Sequence, residues 1–374
     1  MAKRDSQINL YQHSEKKIEL LKNYLESYLN ILNRSDHVDN IHIYDLFCGE
    51  GIYQNDGKGS PIIILETIKD IYYANIAKKH IGGKFNCYFN DIDALKIKKL
   101  KSNIAERHLH YPEIGLLEFS VDDYRLILQK LNQKLLGLNN DKAFIFIDPY
   151  GYKDIRVSDI KDLLKTGKTE ILLFLPTQFM FRFESKGTPE SLKEFISELM
   201  PIDEWPTSET GVDFIEKLTI SFRKVLGGSS FVDSFIITRD LNQFFCLFFF
   251  TNHIYGFDRM LEAKWKIDEE EGRGWHPEHE FTLFNLDGKQ ANTLKYEEKL
   301  REFLKEARTN GDVYRFQLEN GHLSKHTNYI LKKIQNEGKL ISTNKDGSFA
   351  RKSAFYICYA NFNKEPDKIT LKIK

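Results

Sequence analysis

Two short stretches hold residues whose types and spacing suit chemistry. The first is DLFCGEG at 45–51, where Asp45 interrupts an apolar run of Ile41, Ile43, Tyr44 and Leu46, Phe47 follows, and Gly49 and Gly51 close it. Glycine lets the backbone take positive φ and lets a bulky ligand approach main-chain N–H groups, while a carboxylate at a strand end can meet a ligand amine or hydroxyl. The second is DPYG at 148–151. Asp148 and a free carbonyl beside Pro149 can accept hydrogen bonds from an exocyclic NH2 group, and the Tyr150 ring can stack on the base that carries it. Taken alone, the second stretch is also an ordinary turn, since Pro and Gly would make one anyway. The first is not a dinucleotide-binding turn, because the third glycine of G-x-G-x-x-G is missing.

A buried sheet must position these residues. The run at 41–46 contains Asp45 and the run at 142–147 leads into Asp148, and 84–89, 115–121 and 170–175 read as further strands. Between them the apolar residues recur at three-four spacing, as in helices; 15–32 is one such face, expected to pack on the edge of the first strand. Ser60 and Pro61 read as the cap and first-turn residue of a helix reaching about 79. Strands alternating with helices make a doubly wound parallel α/β sheet. After its second strand Asp91, with Asp93 second, can bind both hydroxyls of a ribose. Asp123 follows the third strand, where it can meet the amine of an adenine ring or N-cap the helix from Tyr124. The loop at 53–58 can cover a ligand. A polar, aromatic segment at 176–183 leaves the fifth strand, helices near 192–200 and 212–225 form a cap, and 231–238 with 243–251 form a hairpin. Residues 260–292 read as a helix end and linker.

At 374 residues two domains are expected, and 28 Phe can fill a core. The four cysteines, Cys48, Cys87, Cys246 and Cys358, form no C-x-x-C pair, so they read as reduced thiols and not as a disulfide frame or zinc site. The chain opens without a signal peptide, and its longest apolar run, 244–250, is too short to cross a bilayer. A cytoplasmic protein without a metal is the expectation.

Formal net charge is zero, yet residues 321–374 hold eleven Lys and Arg against four Asp and Glu, a net +7 that leaves −7 for the rest. A basic end on an acidic body suits a polyanion, although a Lys-rich end can be merely solvated. Helices at 296–307, 312–318 and 324–337, the last capped by Ser324, precede strands at 340–342 and 353–359 around a turn at 344–347. That order reads as a winged helix-turn-helix. Its third helix would expose Lys325, His326, Asn328 and Lys332 to DNA or RNA, and its wing Lys345, Arg351 and Lys352. Winged helices also dock proteins.

The acid, aromatic and glycine pattern of the first stretch resembles the S-adenosylmethionine site of class I methyltransferases, in which the acid lies near the methionine amino group. More broadly, IYDLFCGEGIY, GSP at 59–61, FNDID at 89–93, FIDPYG at 146–151 with EILLFLP, and FFFTNHIYG resemble the bacterial three-Cys-motif partner proteins over most of the chain. The resemblance implies a Rossmann-like methyltransferase sheet over 1–292, a winged helix-turn-helix over 293–374, S-adenosylmethionine as cofactor, and a genetically linked three-Cys-motif protein as a partner. Asp45, Phe47, Gly49 and Gly51 would then hold the methionine part, Asp91 the ribose and Asp123 the adenine, with Asp148, Pro149 and Tyr150 positioning the substrate amine. The DPYG element is similar to a motif of tRNA guanine-N2 methyltransferases and to a variant of the D-P-P-Y motif of adenine-N6 enzymes. Tyr150 replaces Pro and Gly151 the aromatic, which leaves the target base open. The expected function is methylation of an exocyclic amino group of a nucleic-acid base. A non-catalytic adaptor docking a partner through the winged helix, or a methyltransferase for a protein or small molecule, stands beside it.

Overall fold

Apolar strands alternating with helices fold into one mixed sheet. The computed structural model describes residues 10–78, 82–149, 155–183, 190–201, 204, 208–240, 243–277 and 290–374. The chain divides into two units, and the first runs to Gly256 and takes back the short strand at 274–275. Its elements are α1 (Gln12–Asn33), β1 (Asn40–Asp45), α2 (Ser60–Ala77), β2 (Lys84–Asn90), α3 (Ala94–Glu106), β3 (Leu117–Ser120), α4 (Tyr124–Leu136) and β4 (Lys142–Ile147). There follow α5 (Val157–Leu164), β5 (Thr169–Leu175), α6 (Thr177–Phe183), α7 (Glu190–Ser197), α8 (Gly211–Leu226), β6 (Phe231–Asp240) and β7 (Gln243–Thr251); then α9 (Ile254–Ile267) and β8 (Gly274–Trp275).

The sheet order is β3-β2-β1-β4-β5-β7-β6-β8. The first five strands in that order are parallel, and β7 runs against both β5 and β6. Ala143, Phe144, Ile145, Phe146 and Ile147 of β4 are all buried, as a strand covered on both faces requires. One face packs on α4, α5, α7 and α8 through residues such as Tyr44, Ile145, Leu173, Leu128, Phe195 and Phe222. On the other, Tyr24 of α1 packs against Phe144 and, edge-on, Phe249. Thus α1 crosses the middle of the sheet. The expected packing on an edge of β1 does not occur, because β1 is paired on both sides and has no edge. The polar, aromatic segment after β5 contains α6.

Beneath α1, Glu170 of β5 accepts hydrogen bonds from the Tyr24 hydroxyl and from Thr251 Oγ1, the latter at 2.9 Å. Burial pushes its carboxyl from 4.5 up to about 7, against the pull of those two donors. The folded protein keeps a proton there that the unfolded chain gives up between those values, so folding takes up a proton and stability falls as pH rises through the window. Glu170→Gln removes the titration. Thermal midpoints of variant and parent are expected to agree near pH 4.5 and to separate by pH 8, with the variant higher. A variant that tracks the parent at every pH would place the proton elsewhere.

The second unit comprises Phe257–Arg273 and the chain from α10 onward. It contains α10 (Leu294–Phe303), β9 (Arg308–Thr309), α11 (Asn310–Glu319), α12 (Ser324–Asn336), β10 (Leu340–Asn344), α13 (Tyr359–Lys364) and β11 (Ile369–Ile373), with a small antiparallel sheet β10-β11-β9. Most of α9 belongs here and not to a linker. Trp265 Nε1 donates to the Gly321 carbonyl at 2.9 Å, and Asp258 accepts from the Tyr314 hydroxyl at 2.8 Å. The division therefore falls near 257, ahead of the expected 293. A second correction concerns the strand pairing with β10, which is Ile369–Ile373 and not 353–359. Alternation in ITLKI buries Ile369 and Leu371, whereas Ser353 and Tyr356 take φ of 61° and 56°, which interrupts an extended run. The turn at 344–347 is present, closed by the Asn344 N–H to Ser348 carbonyl bond of 2.8 Å. Ser324 does not cap α12; Leu323 holds that position.

Cys48, Cys87 and Cys246 are buried thiols and Cys358 is half-buried, and none is in a disulfide. Among the described residues no helix is long and apolar enough to cross a membrane.

Candidate active site at the carboxyl ends of the central strands

Strand register brings three acids together. Asp45 ends β1 opposite Phe89 of β2 on one side and Phe146 of β4 on the other. Asp91 and Asp148 each lie two residues beyond those partners, so they flank β1 at the same level. The glycine turn leaves β1 between them. Gly49 and Gly51 take φ of 65° and 80°, left-handed values that a side chain resists. A Cβ at Gly51 would come within 2.6 Å of the Leu100 side chain, while one at Gly49 would meet nothing within 4 Å, so open space lies beside the turn there. The Gly49 N–H donates to Asp91 Oδ2 at 3.1 Å, the Cys48 N–H to the Asn90 carbonyl at 2.9 Å, and Asn103 of α3 holds the Glu50 carbonyl at 2.8 Å.

Asp45 has no exposed surface. Its carboxylate accepts from Ser60 Oγ at 2.6 Å and from the Phe47 N–H at 3.3 Å. Ser60 was expected as a helix cap; Gly59 takes that place, which frees the hydroxyl for Asp45. Burial pushes Asp45 up to about 7, and the Asp148 and Asp91 charges add to this against the two hydrogen bonds. Phe47 stacks on Tyr124, ring centroids 5.4 Å apart.

Asp91 is buried too. Oδ1 accepts from the Asp93 N–H at 2.9 Å, and Oδ2, besides Gly49, faces Lys96 at 3.5 Å. Asp93 caps α3 and Asp123 caps α4, the latter accepting from the Arg125 and Leu126 N–H groups. For Asp123 the structure shows the helix cap that the sequence offered beside an adenine contact.

Asp148 has a partner the sequence did not announce. Lys17, on the buried side of α1, puts its ammonium 2.5 Å from Asp148 Oδ2 and 4.5 Å from the centroid of the Phe174 ring. Burial works against this ammonium, but Asp148, with Tyr53 and Asp45 beyond it, overrides burial and raises its pKa. Among the described residues, Asp148 Oδ1 accepts no hydrogen bond. The 53–58 loop is tied down at its tip, where Asn55 bonds both the N–H and the carbonyl of Leu10 at 3.0 and 2.9 Å. It holds Tyr53 within electrostatic reach of Lys17, Asp148 and Asp45. Pro149 is buried next to Asp148. Tyr150 lies outside the described residues.

Sequence reasoning missed Lys17, Ser60 and Asn90. Asn90 bonds the Leu46 and Asp122 carbonyls and takes hydrogen bonds from Ser120 Oγ and the Asp122 N–H, stitching the ends of β1, β2 and β3. The available signal for Lys17 was a cation inside the apolar stripe that includes Ile18, Leu21 and Leu25.

In the second unit Lys325, Lys332, Arg351 and Lys352 are exposed and Asn328 is half-buried. His326 is a correction. It lies four residues before Ile330 on the inward face of α12, buried against Trp265 at 4.2 Å between ring centroids, and burial lowers its pKa to about 4.

The strand order, with its antiparallel β7 inserted between β5 and β6, and the glycine turn at the end of β1 define a methyltransferase-like α/β fold. No protein-family model matches the chain, and no curated protein matches it. Solved structures similar to it include an rRNA methylase from Streptococcus thermophilus, with 8% identity and a TM-score of 0.29 over 60% of this chain and 92% of that one. Another is the methyltransferase domain of bacterial CtHen1, with 14% identity and a TM-score of 0.30 over 62% and 99%. A third is the bifunctional kinase-methyltransferase WbdD, with 12% identity and a TM-score of 0.31 over 64% of this chain; the match spans only 39% of that one.

Proposed function

We propose that this chain is an S-adenosylmethionine-dependent methyltransferase acting on an exocyclic amino group of a nucleic-acid base, adenine N6 or guanine N2. On this reading its C-terminal unit is a winged helix-turn-helix that binds the nucleic acid. The convergence of Asp45, Asp91 and Asp148 around a left-handed glycine turn with open space at Gly49 supports it most. The residues present fit the cofactor: a buried carboxyl for an ammonium, a second acid across the turn for hydroxyls, and room for a ligand against main chain.

Bound S-adenosylmethionine would supply the electrophilic methyl group. Asp45 receives the ammonium of its methionine part. Asp91 already accepts two N–H donors, and the spare lone pairs of its oxygens remain for ribose hydroxyls. Lys17 holds Asp148 Oδ2, which leaves Oδ1 to accept an N–H of the substrate amine and turn the nitrogen lone pair toward the methyl group.

Calorimetric titration with S-adenosylmethionine tests this. Free Asp45 holds a proton below about 7; an incoming ammonium favours the ionised form and expels it. Affinity is therefore expected to fall as pH drops below 7, by up to about tenfold per unit, with about one proton released per ligand at pH 6. Asp45→Asn should bind weakly and lose that slope. If the intact protein binds neither S-adenosylmethionine nor its demethylated product at any pH, the fold serves as a scaffold, and docking of a partner such as a three-Cys-motif protein becomes its role.

A further inference from the structure

The exposed face of α12 carries Lys325, Tyr329, Lys332 and Asn336 in one stripe at four-three-four spacing. Lys325 and Lys332 make no ion pair among the described residues, nor do Arg351 and Lys352 of the wing. Neighbouring cations are neutralised: Lys333 by Glu297 at 2.9 Å, Lys339 by Glu337 at 3.3 Å and Lys345 by Asp367 at 2.7 Å. The Ser353 N–H donates to Gln335 Oε1 at 3.0 Å, which holds the 351–353 segment against the C-terminal half of α12. The helix and the wing each carry one exposed aromatic ring. Tyr329 is 67% exposed in the middle of the stripe, and Phe349, 84% exposed, projects from the wing where it bridges Thr343.

We infer that this surface binds single-stranded nucleic acid, with Tyr329 and Phe349 stacking on unpaired bases and Lys325, Lys332, Arg351 and Lys352 tracking the phosphates. It deepens the proposed function by naming the form of its nucleic acid. Unneutralised cations suit a polyanion. The rings choose among polyanions, because a base in a duplex already has stacking partners on both faces and an unpaired one does not. A helix reading a duplex groove would present a bidentate side chain such as Asn, Gln or Arg at the centre of its exposed face, where this one presents the ring of Tyr329 with a single hydroxyl at its tip.

Fluorescence anisotropy with the full chain decides the matter, using a labelled unstructured oligonucleotide, the matching duplex and unlabelled poly-glutamate as competitor. The single strand is expected to bind about tenfold more tightly than the duplex. Tyr329→Ala and Phe349→Ala should each weaken single-strand binding about tenfold and leave duplex binding near its original value, while Tyr329→Phe retains affinity. Lys332→Ala and Arg351→Ala should each flatten the salt dependence by about 0.7 in the log–log slope. Duplex binding as tight as single-strand binding, or indifference to both alanine variants, would overturn the inference while sparing the methyltransferase reading. Poly-glutamate competing as well as the oligonucleotide would overturn it in favour of an acidic protein partner. Failure to bind any nucleic acid would remove it together with the base-methylation reading, and proton-linked cofactor binding would then still report on the first unit alone.

Discussion

Asp148→Asn is expected to cut methyl transfer by about a hundredfold or more while leaving cofactor affinity within about threefold of the parent. An amide keeps the size of the carboxylate but has one oxygen instead of two. In the parent the Lys17 ammonium holds one of those oxygens, Oδ2. In the variant the same ammonium claims the single carbonyl oxygen and turns the NH2 toward the incoming amine, so a donor faces a donor. Cofactor affinity is spared because its methionine part is assigned to the end of β1, next to β4. A second substitution provides the control. Lys17→Met in the Asp148→Asn background frees the carbonyl to face the substrate, and much of the lost rate should return. The measurement is transfer of labelled methyl from S-adenosylmethionine to total cellular DNA and RNA, followed by nucleoside digestion. Label found only in protein would end the base-methylation reading. A double variant no faster than Asp148→Asn alone would show that Lys17 does not orient the acceptor.

That control rests on a residue invisible to motif reading. The parallel strands β1 to β5 were legible because each is a short apolar run ending near an acid or turn residue, and a sheet buried on both faces leaves little else for such runs to do, whereas the two-residue β8 was read as linker. Register then follows, and with it the alignment of Asp45, Asp91 and Asp148. Side-chain partners across 131 residues, such as Lys17 with Asp148, have no local signature. The 3.6 periodicity of α1 places Lys17 on the inward face but does not say what it meets. Ser60 misled for a related reason: Ser-Pro at a helix start has a strong local meaning, and a tertiary demand from Asp45 overrode it. In the second unit α10, α11 and α12 were legible from periodicity, whereas α13 and the strand pairing were not. Two left-handed residues, Ser353 and Tyr356, break the nearer candidate, and neither is a type that announces positive φ. His326 went astray because His is read as polar, while its phase relative to Ile330 and Ile334 is that of the core.

The largest stability effect is expected from Asp148→Ala. Lys17 is buried at the foot of α1, its side chain 9% exposed against 23% for Asp148. Removing the carboxylate leaves a desolvated ammonium over the Phe174 ring, a loss of about 3–5 kcal/mol for a broken buried pair. Lys17→Met acts from the other side. The thioether keeps the apolar stem packed against Phe174, and the remaining carboxylate has water within reach, so the cost should be about 1 kcal/mol. Combining the two changes removes both charges. Lys17→Met/Asp148→Ala is then expected to regain most of what Asp148→Ala loses, giving a coupling of about 2–4 kcal/mol between the sites. Urea midpoints of the four proteins at pH 7.5 provide the cycle. Equal destabilisation of Asp148→Ala and the double variant would mean that the unpaired ammonium is not the cause, and that Asp148 supports the fold through the segment that follows it. The double variant also separates chemistry from folding. It should be as well folded as Lys17→Met and still fail in methyl transfer, since no acceptor is left to hold the amine, whereas an enzyme that tolerates losing Asp148 once Lys17 is gone would move the amine-binding role to another residue of the site.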